Sequence, residues 1–235
     1  MLNQVKPHYL CKVNRIFSDQ LFIADKQAFT LMKEQWNERY AADHYIYGIN
    51  PNEWFSEKIR HLKPGKLLLP AEGEGRNAVF AAKCGWEVTA FDQSEEGKKK
   101  ALKLAAGENV DINYLIADLN DFDSKPSEFD LIAFIFVHMP EEIRQSVHRS
   151  LCQLLKPGGH LILEAFTREQ IKNTTGGPKT LQLLYTKEFI EVDFNHLNFI
   201  EFEETLTSLD EGPLHKGDAH VIRLFAQKPT TSNRL

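Results

Sequence analysis

Between Lys66 and Phe166 short apolar runs alternate with stretches of helical period, and this alternation restricts the fold more than any other feature. "KLLLPA", "WEVTAFD", "DINYLIAD", "FDLIAFIFV" and "HLILEAF" each read as a strand. The fourth is apolar on both faces, as a central parallel strand must be. Between them lie helical stretches: "GRNAVFAAKCG" closing at Gly85, a run from Ser94 to about Ala106, and 141–155, where Ile143, Val147, Leu151 and Leu154 share a face. Parallel strands joined by helices, with right-handed crossovers, predict an α/β, doubly wound sheet with helices on both faces.

The flanks read differently. Residues 1–27 show no clean period and are expected to be an N-terminal extension; helix is expected over 28–42. In "NPNEWFSEKIRHL" Asn50 is placed to cap a helix with Pro51 first and Glu53 in the capping-box position, and Phe55, Ile59 and Leu62 on one face. After Thr167 a polar loop, 167–180, has the character of a lid. A helix at 186–196 and strands at 198–208 and 218–228 follow, bringing the sheet to seven strands. No linker-like shift interrupts 28–229, so a single domain is expected, with 28–62 as N-terminal cover helices and 230–235 as a tail.

Charge narrows the partners. Against 28 Lys and Arg stand 33 Asp and Glu, a net charge of −5, so nucleic acid is not expected as a partner. Cys11, Cys84 and Cys152 are far apart and show no zinc spacing, so no metal site is expected. The N-terminus lacks a continuous apolar segment and no run is long enough to span a bilayer. The expectation is a cytoplasmic chain, a monomer or weak dimer, acting on a small molecule without a membrane.

The first strand leads into a glycine turn, "AEGEGRNA", at the carboxyl edge where such sheets hold their ligands. Gly73 and Gly75 permit a tight turn and close backbone approach. Asp92 ends the second strand, where it can accept hydrogen bonds from a ribose diol. Asp118 ends the third, in reach of an adenine amino group. Two ligands share that nucleoside. One is NAD, since Gly73-x-Gly75-x-x-Ala78 formally meets the dinucleotide fingerprint. The other is S-adenosylmethionine, which carries a sulfonium and an ammonium in place of the diphosphate. The turn also holds Glu72 and Glu74. Two unit charges about 6 Å apart at an effective dielectric of about 20 interact by roughly 3 kcal/mol, repelling a diphosphate and attracting the cation. Arg76 offsets part of this.

The glycine turn, Asp92, Asp118 and "KPGGHLILE", in this order, resemble the class I S-adenosylmethionine-dependent methyltransferases. "GEGRNAVFAAKCGWEVTAFDQS", "FDLIAFIFVHMP", "LKPGGHLILEAF" and "EGPLHKGDAHVIRLFAQK" are similar to the tellurite-resistance and thiopurine-type branch, over roughly Trp36 to Lys228. The resemblance implies a Rossmann-like, mostly parallel seven-stranded sheet with an antiparallel last strand beside the fifth. It implies a cofactor site made by the turn residues Ala71, Glu72, Gly73, Glu74, Gly75, Arg76 and Asn77. Asp92 would hold the ribose, with Gln93 also in the cofactor site; Asp118 and Leu119 would border the adenine, and Ile135 and Phe136 close the pocket. Trp36, Arg39 and Tyr40 would cover it, their aromatic faces suited to a sulfonium. The turn departs from the family pattern: its usual leading acid and first glycine are Leu69 and Ala71 here. Glu72 or Glu74 is expected to supply the missing carboxylate.

Methyl transfer is an in-line displacement and depends chiefly on alignment. A thiolate, selenolate or tellurite oxyanion needs little general base, whereas a hydroxyl needs one. His138, in "FVHMP", and His215, in "EGPLHKGD", are the catalytic candidates; Glu164 points either inward or against a neighbouring helix. The expected function is methyl transfer to a small molecule, with a thiol or chalcogen compound such as tellurite suggested by the branch. An NAD(P)-dependent oxidoreductase and a non-catalytic cofactor-binding module are the alternatives; the first lacks a Tyr-x-x-x-Lys or comparable hydride-transfer set.

Overall fold

The computed structural model describes residues 33–230. The 1–27 extension, the start of the cover and the last five residues lie outside the described residues. The chain runs from a helix at 33–40 (α1) through α2 (Glu53–Arg60), β1 (Lys66–Pro70), α3 (Arg76–Lys83), β2 (Glu87–Asp92), α4 (Glu95–Gly107) and β3 (Asn113–Ile116). It continues with β4 (Phe129–Ile135), α5 (Glu141–Gln153), β5 (Leu155–Phe166), α6 (Lys187–Phe194), β6 (Asn198–Asp210) and β7 (Lys216–Gln227).

The seven strands form one sheet in the order β3-β2-β1-β4-β5-β7-β6. Pairings among β1 to β5 are parallel, and β7 runs antiparallel between β5 and β6. Side-chain alternation divides the core between the two faces. Leu67, Leu69, Leu131, Ala133 and Ile162 pack with Phe55 and Ile59 of α2, Ala78 of α3 and Ala101 of α4. Leu68, Ile132, Phe134, Leu161 and Leu163 pack with Val147 and Leu151 of α5 and Ile190 and Phe194 of α6. This is the Rossmann-like, doubly wound sheet with helices on both faces and an antiparallel last strand.

Two expected boundaries move for identifiable reasons. The cap of α2 is Asn52, not Asn50: its side chain accepts the Phe55 amide at 2.9 Å, and its amide group is held elsewhere in the core. The "KPGG" turn does not precede β5 but lies within its paired run. Leu155 pairs with Phe129, and a register shift between Phe129 and Leu131 absorbs the turn before His160 pairs with Leu131. Ser94 caps α4 as expected, accepting the Gly97 amide.

The strand order reverses between β1 and β4. Both strands leave the sheet there through non-glycine residues in left-handed backbone: Ala71 (φ 49°) after β1 and Phe136 (φ 54°) after β4. Such conformations are costly and gather at functional sites. Ala71 stands where the family pattern has glycine, and its positive φ gives the physical reason for that preference.

Candidate cofactor and acceptor site

The carboxyl ends of β1 to β5 open into a cavity of about 670 Å³, the size of a site for a drug-sized or nucleoside-sized ligand. Ala71, Glu72, Gly73, Glu74, Arg76 and Asn77 line it from the turn after β1, with Asp92 and Gln93 beyond β2. Asp118 and Leu119 line it beyond β3, and Ile135 and Phe136 at the end of β4. Trp36, Arg39 and Tyr40 roof it from α1, while 174–179 of the expected lid form a further wall.

Gly75 is the exception among the expected turn residues. It does not line the cavity; at φ 88° it caps α3, and a Cβ there would stand 2.5 Å from the Ala101 Cβ on α4. Its role is helix packing. Gly73 faces the cavity side, where a Cβ would meet the Tyr40 hydroxyl at 2.6 Å. Its carbonyl accepts the buried Tyr114 hydroxyl at 2.6 Å, pinning the turn to β3.

The two glutamates are used differently from each other. Oε1 of Glu72 accepts the backbone amides of Asn77 and Ala78, each at 2.8 Å, and Oε2 accepts the Asn77 side chain at 3.3 Å. A carboxylate therefore occupies the N-terminus of α3, the place where a dinucleotide fold seats its phosphates. Burial still raises Glu72 to about 7, against the pull of those donors and of Arg76. Glu74 is buried, and both its oxygens are engaged by the protein. It accepts the Ile46 and Tyr47 amides at 2.8 and 3.2 Å and the Lys100 ammonium at 2.8 Å, fastening the cover segment to α4. Of the two expected carboxylates, Glu72 sits on the first turn of α3, whereas Glu74 ties the cover segment to α4.

Asp92 accepts the Gly73 amide at 3.0 Å and the Ser94 amide at 2.8 Å, one on each oxygen, leaving a second lone pair on each. Burial raises it to about 6. Asp118 receives the Asn120 amide at 2.9 Å.

On the acceptor side the two histidines part company. His138 lies at the cavity wall, but both ring nitrogens are taken. Nδ1 meets the Leu183 carbonyl at 2.7 Å, and Nε2 lies 3.3 Å from the Phe166 amide, which donates to it. With Nδ1 donating, no lone pair remains for an acceptor, and burial drives the ring down to about 4. The expectation of His138 as a base is corrected: it is a brace between β5 and the chain leading to α6. His215 has no such ties. Its ring stands between Tyr47, Phe136 and Phe166 at centroid distances of 4.6, 4.7 and 5.3 Å, and its Nδ1 lies 3.5 Å from Glu211 Oε2. That carboxylate accepts Arg76 Nη2 at 2.8 Å. Glu164 takes the second of its two expected orientations: fully buried, it bonds Asn52 of α2 and Arg223 of β7 and does not line the cavity.

Residues 70–159 match the family model described as "Methyltransferase domain". The probable S-adenosyl-L-methionine-dependent methyltransferase TehB of Haemophilus influenzae is 22% identical over 69% of this chain and 54% of its own length. Its crystal structure superposes with a TM-score of 0.63 at 16% identity, covering 83% of this chain and 66% of that one. A match to a methyltransferase domain is thus confined to residues 70–159 of the chain, within a fold shared with such enzymes. The ubiquinone biosynthesis O-methyltransferase of Xanthomonas campestris pv. campestris is 26% identical over 60% of this chain and 59% of its own length. The alignments thus span a little over half of these curated relatives. A structure from work on the conversion of a disulfide bond into a thioacetal group during echinomycin biosynthesis shares the fold at a TM-score of 0.71 and 15% identity, over 86% of this chain and 93% of that one.

Several parts of this site carry no local sequence signal. Tyr47 reaches His215 where Gly212 lets two backbones cross, a Cβ on Gly212 falling 2.4 Å from the Gly48 nitrogen. Phe166 reads as an ordinary strand residue. The Glu211–His215 spacing of four could have suggested a pair, but the intervening Gly-Pro turn hides it. Among the described residues no helix is long and apolar enough to cross a membrane, and no cluster of His, Cys, Asp and Glu is arranged for a metal ion.

Proposed function

We propose that the domain binds S-adenosylmethionine along the turn after β1 and transfers its methyl group to a small acceptor held against His215. The observation carrying the first part is the Glu72 carboxylate on the α3 amides. It disfavours a diphosphate by charge and occupancy, and favours the cationic end of a sulfonium amino acid. Asp92, with a free lone pair on each oxygen, suits a ribose diol; Asp118, Leu119 and Ile135 suit an adenine. Trp36 and Tyr40, stacked 5.3 Å apart over the cavity, supply aromatic surface for a cationic sulfur.

When bound, the cofactor supplies an electrophilic methyl group on a sulfonium. The chain's own residues align the acceptor, exclude water and take up a proton. Tyr47, Phe136 and Phe166 make an apolar cradle, and the 174–179 segment and the α1 cover limit solvent access. Glu211 faces His215 Nδ1, which favours the tautomer whose Nε2 lone pair can accept a proton. Arg39 at the cavity roof has no carboxylate partner among the described residues, bonding the Tyr47 hydroxyl instead, and Lys179 adds a second cation. These features support an acidic or anionic acceptor, a thiol or a chalcogen oxyanion.

The test is turnover of the full chain with methyl-labelled S-adenosylmethionine and a panel of thiols, selenite, tellurite and small phenols. Label is expected in at least one thiol or chalcogen product. Adenosylhomocysteine binding without label transfer to any acceptor would instead indicate a cofactor-binding module without turnover.

A further inference from the structure

Asn52 has an obvious local task, capping α2, but that task accounts for only part of its bonding. A cap needs one side-chain acceptor, and Ser, Thr or Asp would serve as well. Asn52 is 1% exposed and uses every polar atom of its side chain. Oδ1 accepts the Phe55 amide at 2.9 Å; Nδ2 donates to Glu164 Oε1 at 2.9 Å and to Glu211 Oε1 at 2.8 Å. Its backbone amide donates to Asn77 Oδ1 at 2.9 Å. Only a primary amide offers an acceptor and two donors together, so the pair of carboxylates, not the cap, demands asparagine.

The other oxygens of the two carboxylates complete a chain. Glu164 Oε2 accepts Arg223 Nε at 2.6 Å, and Glu211 Oε2 accepts Arg76 at 2.8 Å beside His215 Nδ1. Both carboxylates are buried, at 0% and 6% exposure, and both reach the same nitrogen. Like charges so close disfavour each other, and the amide between them, with an arginine on the far side of each, offsets this. Burial raises Glu164, opposed by Arg223 and Asn52; burial also pushes Glu211 up, but Arg76 and His215 outweigh it and hold Glu211 at about 2.

We propose that Asn52 is a positioning residue for His215: by donating one hydrogen to each carboxylate it fixes the Glu211 carboxylate in its aim at the imidazole. The proposal rests on the reading of His215 as the acceptor-side proton acceptor. The charged groups around that imidazole are Glu211 on its own turn, Arg76 from α3, Arg39 from the cover and His138 after β4; Tyr47 packs on its face. Of these only Glu211 is anionic. Loss of its aim weakens the imidazolium, so the His215 midpoint falls.

The experiment is nitrogen-15 histidine NMR titration of the full chain, with His215 assigned from H215Q, alongside adenosylhomocysteine titration. N52S keeps a cap for α2 and loses the paired amide donors. It is expected to bind adenosylhomocysteine within about twofold of the parent while the His215 midpoint drops by about half a pH unit or more. In N52S/E164Q the glutamine amide can donate to Glu211 and the like charge is gone, so the midpoint returns toward the parent value. An N52S chain that titrates as the parent does overturns the proposal, as does a shift that persists unchanged in an E211Q background. Should N52S alone not fold, E164Q must restore folding, and failure to do so counts against the proposal equally. Absence of adenosylhomocysteine binding in the parent chain would strike the cofactor reading, leaving the His215 titration readable on its own.

Discussion

Glu72 Oε1 accepts the Ala78 amide at 2.8 Å, so the first turn of α3 is already answered by a carboxylate from its own chain. The same carboxyl is raised to about 7 by burial. In the free protein it holds a proton over much of the range between about 4.5, its ordinary value, and 7. A raised acid contributes stability that is full at low pH and fades as pH climbs through the folded value. A cationic ligand reverses the preference and expels the proton. Affinity for S-adenosylmethionine should therefore rise with pH up to about 7 and flatten above it. Calorimetry in buffers of different ionisation heat should record proton release near pH 6. In Glu72→Gln the pH slope should vanish and affinity fall by about tenfold to a hundredfold.

The turn's two glycines should respond differently to alanine. At Gly75 the new Cβ meets the Ala101 Cβ at 2.5 Å and the Ala101 Cα at 2.7 Å, with φ at 88°. Overpacking and a left-handed residue together should cost about 3 kcal/mol, read as a lowered denaturation midpoint. At Gly73, also in left-handed backbone at φ 62°, the nearest obstacle is the tip of the Tyr40 side chain and not the backbone of a neighbouring helix. Gly73→Ala should lose less stability and more cofactor affinity. Equal stability losses in both would contradict the division of labour drawn between them.

How much of this was legible in the chain follows the physics of each element. The strands and helices from β1 to β5 were readable because burial on both faces imposes continuous apolar runs such as Leu67–Leu69 and Leu131–Phe134. Asp92 and Asp118 line the cavity where the sequence puts them, because Asp92 ends β2 and Asp118 follows β3, both at the carboxyl edge. The bonds of Glu74 are not legible in the chain because its partners, Ile46, Tyr47 and Lys100, come together only on folding. Those of His138 are hidden for the same reason: its partners, the Leu183 carbonyl and the Phe166 amide, are backbone groups with no sequence signature.

The histidines give a contrast that activity and stability measure separately. His138→Ala empties a buried ring with two backbone partners and should cost about 2–4 kcal/mol of stability, leaving the shape of any pH–rate profile unchanged. His215→Gln should leave the denaturation midpoint within about 1 kcal/mol of the parent and lower turnover at least about tenfold for acceptors that must lose a proton. A pH–rate profile that moves in His138→Ala would contradict the assignment.

Behind the sheet, Asp193 of α6 accepts Arg144 Nε at 2.7 Å and faces His148 Nδ1 at 2.8 Å, with all three side chains buried. Burial opposes its charge, but His148 and Arg144 prevail and lower its acid strength midpoint below the ordinary aspartate value. The stability it lends is present above that ordinary value and is lost as pH falls through the folded one. Burial lowers His148, so protonation of the unfolded chain below about 6.5 adds to the same acid lability. Asp193→Asn should cost about 3 kcal/mol at pH 7, and less at acid pH where the parent has lost part of the advantage. Denaturant midpoints at pH 7 and pH 4 test this.

The central claim is that the turn after β1 receives a cationic amino-acid end and not a diphosphate. Parallel calorimetric titrations of the full chain with adenosylhomocysteine and with NADH decide it. The account predicts a saturable adenosylhomocysteine isotherm with a dissociation constant on the order of micromolar, and no NADH binding at a hundredfold higher concentration. Firm NADH uptake with adenosylhomocysteine left unbound would contradict it.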